Sequence, residues 1–160
     1  MIDRDQIEQL AIERINELDK GLFIVDISVS RGNKIIVELD TVEGNVAIDD
    51  CISVSRNIEH NLDRDKEDFE LQVSSAGLDK PFRVLQQYKK NIGKVVKVQL
   101  IENNKTLEGV LTFADENGIK IETSTKERIE GRKKKEWVKT EHEFTYEEIK
   151  ETKIVISFKN

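Results

Sequence analysis

The chain is short of cysteine, proline and aromatic residues, and each shortage excludes something. One cysteine, Cys51, among 160 residues excludes an internal disulfide and any metal site built from several thiolates. One proline and eight glycines exclude collagen-like and proline-rich architectures. No apolar run approaches the roughly 20 residues needed to span a bilayer. The start, Met1-Ile2-Asp3-Arg4-Asp5, has no apolar core and does not read as a signal peptide. The expectation is a soluble cytoplasmic protein that makes no membrane contact.

What is present is charge. Asp, Glu, Lys and Arg make up 36% of the chain and the hydrophobic set 37%, enough for a folded core and too much for wholesale disorder. The charge is unevenly spread. Residues 1–83, ending just after the only proline, hold 19 acids and 10 bases, a net of −9. Residues 84–160 hold 13 acids and 16 bases, a net of +3. Such asymmetry suggests two modules with different electrostatic tasks, 1–83 and 84–160.

Asp3 reads as a helix N-cap, with Gln6 placed as in a capping box. Ile7, Leu10, Ala11, Ile15 and Leu18 recur at helical spacing, leaving Glu8, Glu13, Arg14 and Glu17 for solvent, and Gly21 is a plausible stop. Over residues 22–40 the period becomes two on either side of Arg31-Gly32-Asn33, which predicts a β-hairpin. Ile48, Ile52, Ser55, Ile58 and Leu62 predict a second amphipathic helix, with Asp49 and Asp50 at its positive end. Phe69, Leu71 and Val73 alternate as a third strand. The order α-β-β-α-β predicts two helices on one face of a small antiparallel sheet, an α+β layer.

Ser74–Arg83 is a linker-like stretch in which Gly77 permits angles other residues avoid and Pro81 stiffens the backbone after it. A short helix is predicted over Val84–Asn91. Beyond Gly93, alternation over Val96–Leu100, Leu107–Phe113, Ile119–Glu122, Trp137–Phe144 and Lys153–Phe158 predicts a small all-β barrel. Thr123–Lys135 reads as a polar, charged connection.

Catalytic patterns are scarce. His60 and His142 fall in different modules and read as surface residues. Cys51 at a helix start has either a lowered thiol pKa or the role of a small packed residue, and the latter is favoured. Ser74-Ser75-Ala76-Gly77 is not a hydrolase elbow, and Gly93-Lys94 is not a P-loop. Asp49, Asp50, Asp63, Asp65, Glu67 and Asp68 are explained more simply as a cap and a solvated loop than as divalent-ion ligands. No catalytic, cofactor or metal residue is assigned. The basic run Arg132-Lys133-Lys134-Lys135 beside Trp137 is a candidate for phosphates and a stacked base. Against it stand Glu127, Glu130 and Glu136, and the alternative in which Trp137 turns into the barrel.

Val73-Ser74-Ser75-Ala76-Gly77-Leu78-Asp79-Lys80-Pro81-Phe82 resembles the hallmark of the bacterial ribosome maturation factor RimP family, whose usual form is Val-Ser-Ser-Pro-Gly-Leu-Asp-Arg-Pro-Leu. Asp50-Cys51, Ser55-Arg56 and Leu62-Asp63 also match. So do Gly93–Val98, Gly109-Val110-Leu111, Ile119 and Tyr146–Lys150. Ala76, Lys80 and Phe82 depart from the pattern, and the charged stretch Glu127–Lys135 lengthens a hairpin of the second module. The resemblance implies a KH-related α-β-β-α-β(-β) layer followed by an Sm-like or SH3-like barrel. It implies a monomeric, non-enzymatic factor for small-subunit assembly, without a cofactor. Its implied partners are the immature small ribosomal subunit, a very basic small-subunit protein usually numbered twelve, and rRNA. Ser74, Ser75, Gly77, Leu78, Asp79, Lys80 and Pro81 then form the joint between the modules. The alternatives are an Sm-type RNA chaperone acting through its barrel, and a small hydrolase using Cys51 or Ser75.

Overall fold

The computed structural model describes residues 1–128 and 135–156. It contains two compact units, Met1–Gly77 and Leu78–Asn160, so the boundary falls ahead of the charge-based division at Arg83. Among the described residues no helix is long and apolar enough to cross a membrane.

The first unit runs α1 (Arg4–Leu18), β1 (Leu22–Ser30), β2 (Lys34–Thr41), α2 (Ile48–His60), β3 (Glu70–Ser75). Asp3 caps α1 by accepting the Asp5 N–H at 3.0 Å. The helix stops before Gly21, at Asp19, which adopts the left-handed conformation. Gly32 and Asn33, both at positive φ, turn the β1–β2 hairpin as expected.

The sheet order is β1-β2-β3, and it is mixed rather than antiparallel. β2 pairs antiparallel with β1 and parallel with β3. The cause is the connection: α2 carries the chain back across the sheet, so β3 must enter in the direction of β2. Ile35, Val37 and Leu39 of β2 meet Ile7 and Ala11 of α1, Val54 and Ile58 of α2, Ile27 and Phe69 in one buried cluster. Burial of each larger member stabilises the unit by about 1.5–3 kcal/mol.

The face of α2 is rotated from the expected stripe. Ile48 is 78% exposed and Ile52 43%, while Asp50, Val54, Asn57 and Ile58 point inward. Polar bonds make this arrangement tolerable. Asn57 donates to the Leu10 carbonyl at 2.7 Å and accepts from Arg14, which also donates to Ser53 Oγ at 3.0 Å. Arg14 is therefore half-buried between the helices rather than left to solvent.

The second unit runs α3 (Leu85–Lys90), β4 (Val95–Leu100), β5 (Thr106–Ala114), β6 (Gly118–Arg128), β7 (Lys135–Thr145), β8 (Ile149–Ile154). Its five strands form one antiparallel sheet in the order β7-β6-β5-β4-β8. No β7–β8 ladder joins its edges among the described residues. Val96, Val98, Leu111, Ile119, Ile121 and Ile149 build the core with Tyr88. Thr123–Arg128, expected as a connection, continues β6, because it pairs residue for residue with β7 out to Arg128 opposite Lys135.

Candidate nucleic-acid interface

The β6–β7 hairpin has two faces, set by the period of two. Ile119 and Ile121 on β6 are buried, and Glu136, Val138, His142 and Phe144 on β7 are half-buried, so this face looks toward the core. Lys135, Trp137 and Lys139 alternate with them and are exposed. Register places Lys126 directly across from Trp137 and Ser124 across from Lys139. The alternation thus sorts Glu136 onto the opposite side from the indole.

Trp137 is 69% exposed, so it is not turned into the sheet's core. Of the basic run singled out in the sequence, Lys135 opens β7 and is exposed, whereas Arg132, Lys133 and Lys134 lie outside the described residues, as does Glu130. Lys139 lies 3.8 Å from Glu122, an exposed pair worth at most about 1 kcal/mol. Glu122 and Glu141 face each other across the ladder one step nearer the sheet body, which closes the basic surface with an acidic edge. Sequence reading placed Trp137 beside the run but missed Lys139, which the period of two along β7 puts on the same face, and Lys126, which only strand pairing brings to it.

A second feature is an open groove of about 500 Å³, lined by Phe82, Arg83, Tyr88, Tyr146 and Lys150 among others. Phe82 packs edge-on to Tyr88 at 5.0 Å, and Tyr88 to Tyr146 at 5.3 Å. Phe82 thereby extends an aromatic row. The Tyr146 hydroxyl donates to the Asp115 carbonyl at 2.7 Å. Burial, then the charges of Tyr88 and Asp115, push the Tyr146 phenol up to about 12.

The hallmark segment spans the end of the first unit. Ser74 and Ser75 are the last residues of β3, paired with Glu38 and Leu39 of β2. The Ala76 N–H donates to the Leu39 carbonyl at 2.8 Å, extending the ladder by one bond. Leu78 is 64% exposed, and Gly77, Asp79 and Lys80 are exposed beside it. The left-handed glycines are Gly21, Gly32, Gly44 and Gly93; Gly77 is not among them. Its expected angle is therefore not observed, and an exposed turn at Leu78–Asp79 accommodates the chain instead.

The groups considered for catalysis are dispersed. His60 ends α2 and is exposed. His142 is half-buried rather than at the surface, with Nε2 3.0 Å from Thr123 Oγ1 and its ring stacked on Phe144. Burial, and then the charge of Asp50, raise the Cys51 thiol pKa, which fits a packed residue rather than an activated one. Several acids of the first unit are paired within it. Asp50 is buried and pairs with Lys20 at 3.0 Å. Asp63 accepts the Asp65 N–H, Asp68 pairs with Arg64, and Glu67 meets the Met1 amino group and Asn33. Arg64 also covers the Phe69 ring at 4.0 Å. Among the described residues no group of His, Cys, Asp and Glu is placed to hold a metal ion.

These features define a protein of two units, an α+β layer and a five-stranded antiparallel sheet. Residues 11–79 match the family described as RimP N-terminal domain. A ribosome maturation factor RimP of Christiangramia forsetii is 42% identical over 97% of this chain and 99% of its own. One of Flavobacterium psychrophilum is 35% identical over 99% and 100%, and one of Porphyromonas gingivalis 38% over 84% and 86%. The chain belongs to the ribosome maturation factor RimP family.

Proposed function

We propose that this chain is a non-enzymatic assembly factor that docks on the immature small ribosomal subunit in the cytoplasm. Its relatives are named for ribosome maturation. The observation that carries the docking mode is charge. Residues 1–77 hold 18 acids against 8 bases, a net of −10, and residues 78–160 hold 14 acids against 18 bases, a net of +4. An acidic first unit repels a phosphate backbone and attracts a strongly basic protein, so it receives a basic small-subunit protein. The second unit approaches rRNA without that penalty. The order β8-β4-β5-β6-β7 with a helix ahead of it supports an Sm-like second unit, and α-β-β-α-β supports a KH-related first unit. Gly77–Pro81, following Ser74 and Ser75 of β3, serves as the joint between the two.

Sedimentation of cell extract tests the proposal. The factor is expected with small subunits and their precursors at low salt, and released as salt rises. Absence from those fractions at every salt concentration refutes it. Mass in solution separates it from an Sm-type chaperone, since this factor is expected to be a monomer and a ring would be hexameric or heptameric.

A further inference from the structure

We propose that the solvent face of the β6–β7 hairpin, Lys126, Lys135, Trp137 and Lys139, binds a short single-stranded segment of RNA. The inference deepens the assembly reading and rests on it for the source of the RNA.

Three observations converge on this face. Trp137 is the chain's single tryptophan and lies 69% exposed, an unusual position for the largest apolar side chain. Its flanking positions on the same strand face are Lys135 and Lys139, and its cross-strand partner is Lys126, all exposed. Glu136, the acid next to it in sequence, belongs to the other face.

An exposed indole with lysines on either side along its strand and across the ladder satisfies two demands of one ligand. The ring offers a flat surface for an unpaired base, and the lysines meet the phosphates on either side of that base. A duplex meets only the second demand, because its bases are already stacked on one another. An acidic protein segment would likewise use the lysines and leave the indole without a planar partner. Glu122 and Glu141 border the patch toward the sheet body and repel phosphates there, which confines the strand to the outer part of the hairpin.

The full-length chain should be titrated with a labelled single-stranded oligouridylate of about 12 nucleotides, and with an RNA duplex of equal length. Fluorescence of Trp137 is expected to be quenched by the single strand and not by the duplex. Trp137→Ala is expected to weaken single-strand binding about 5- to 100-fold, and Trp137→Phe to restore most of it. Replacing Lys126, Lys135 and Lys139 together by Gln is expected to reduce the salt slope of binding by about 2. Equal binding of the duplex, or unchanged single-strand binding by Trp137→Ala, overturns the inference. A salt slope unaltered in the triple variant overturns it as well. The assembly reading fails separately: the chain would then bind the free oligonucleotide yet never sediment with small-subunit precursors. Where only the hairpin inference fails, sedimentation persists and oligonucleotide binding is absent.

Discussion

Tyr88 donates its phenolic proton to Thr152 Oγ1 at 2.8 Å, a buried bond that ties α3 to the last strand of the second unit. Thr152 is fully buried and Tyr88 nearly so, so each group has water neither to replace its partner nor to screen the bond. Thr152→Val is expected to destabilise the unit by about 1–3 kcal/mol, because the phenol is left unsatisfied. Tyr88→Phe removes the polar atom itself and leaves the more adaptable threonine hydroxyl. The double variant is expected to lose less than the sum of the two single ones, which calorimetry of the full chain measures.

Both tyrosines of the chain titrate late. Burial raises the Tyr88 phenol despite the opposing bond to Thr152, and Tyr146 moves from 10.0 to about 12. The folded state thus favours the protonated phenols. Their contribution is fully present below pH 10.0 and is lost as the pH climbs toward about 12. Tyrosinate absorbance is expected to stay low near pH 10.0 in the folded chain and to rise together with loss of the second unit. Tyr146→Phe is expected to flatten that alkaline loss of stability.

Gly109 occupies a strand position where a side chain has no space. A Cβ there would lie 2.5 Å from Ile121 Cγ2 and 2.7 Å from the Glu122 carbonyl oxygen. Ile121 is fully buried and the second neighbour is backbone, so neither moves aside cheaply. Gly109→Ala is expected to cost about 1–3 kcal/mol and to lower the Tm of the second unit, while the first unit melts unchanged.

Asn57 joins α2 to α1 from inside the first unit. Asn57→Ala removes both its donation to the Leu10 carbonyl and its acceptance from Arg14. A loss of about 1–3 kcal/mol is expected, with faster hydrogen exchange of α1 amides as the local readout.

Cys51 is expected to react with a thiol reagent more slowly at neutral pH than a free cysteine, since burial and Asp50 both disfavour the thiolate. Faster reaction would revive an activated thiol at the start of α2.

Element types were legible wherever a period of two or 3.6 ran long enough. The first helix, the β1–β2 hairpin and most strands of the second unit fall where alternation places them. The α2 face was not legible, because Ile48 and Ile52 look apolar in sequence while buried Asn57 and Asp50 find partners on other elements. The outer part of the β6–β7 hairpin was missed for a related reason. Thr123–Arg128 is polar throughout, so hydrophobic alternation gives no signal there, and only pairing with β7 holds it extended.

By itself the chain determined two units, their opposite charge and their family, since composition and a contiguous motif survive without coordinates. Tertiary structure alone decided that β3 runs parallel to β2, and that Lys126 stands across from Trp137. Both are relations between residues distant along the chain. They depend on strand direction and register, and a slip of one residue would send each side chain to the other face.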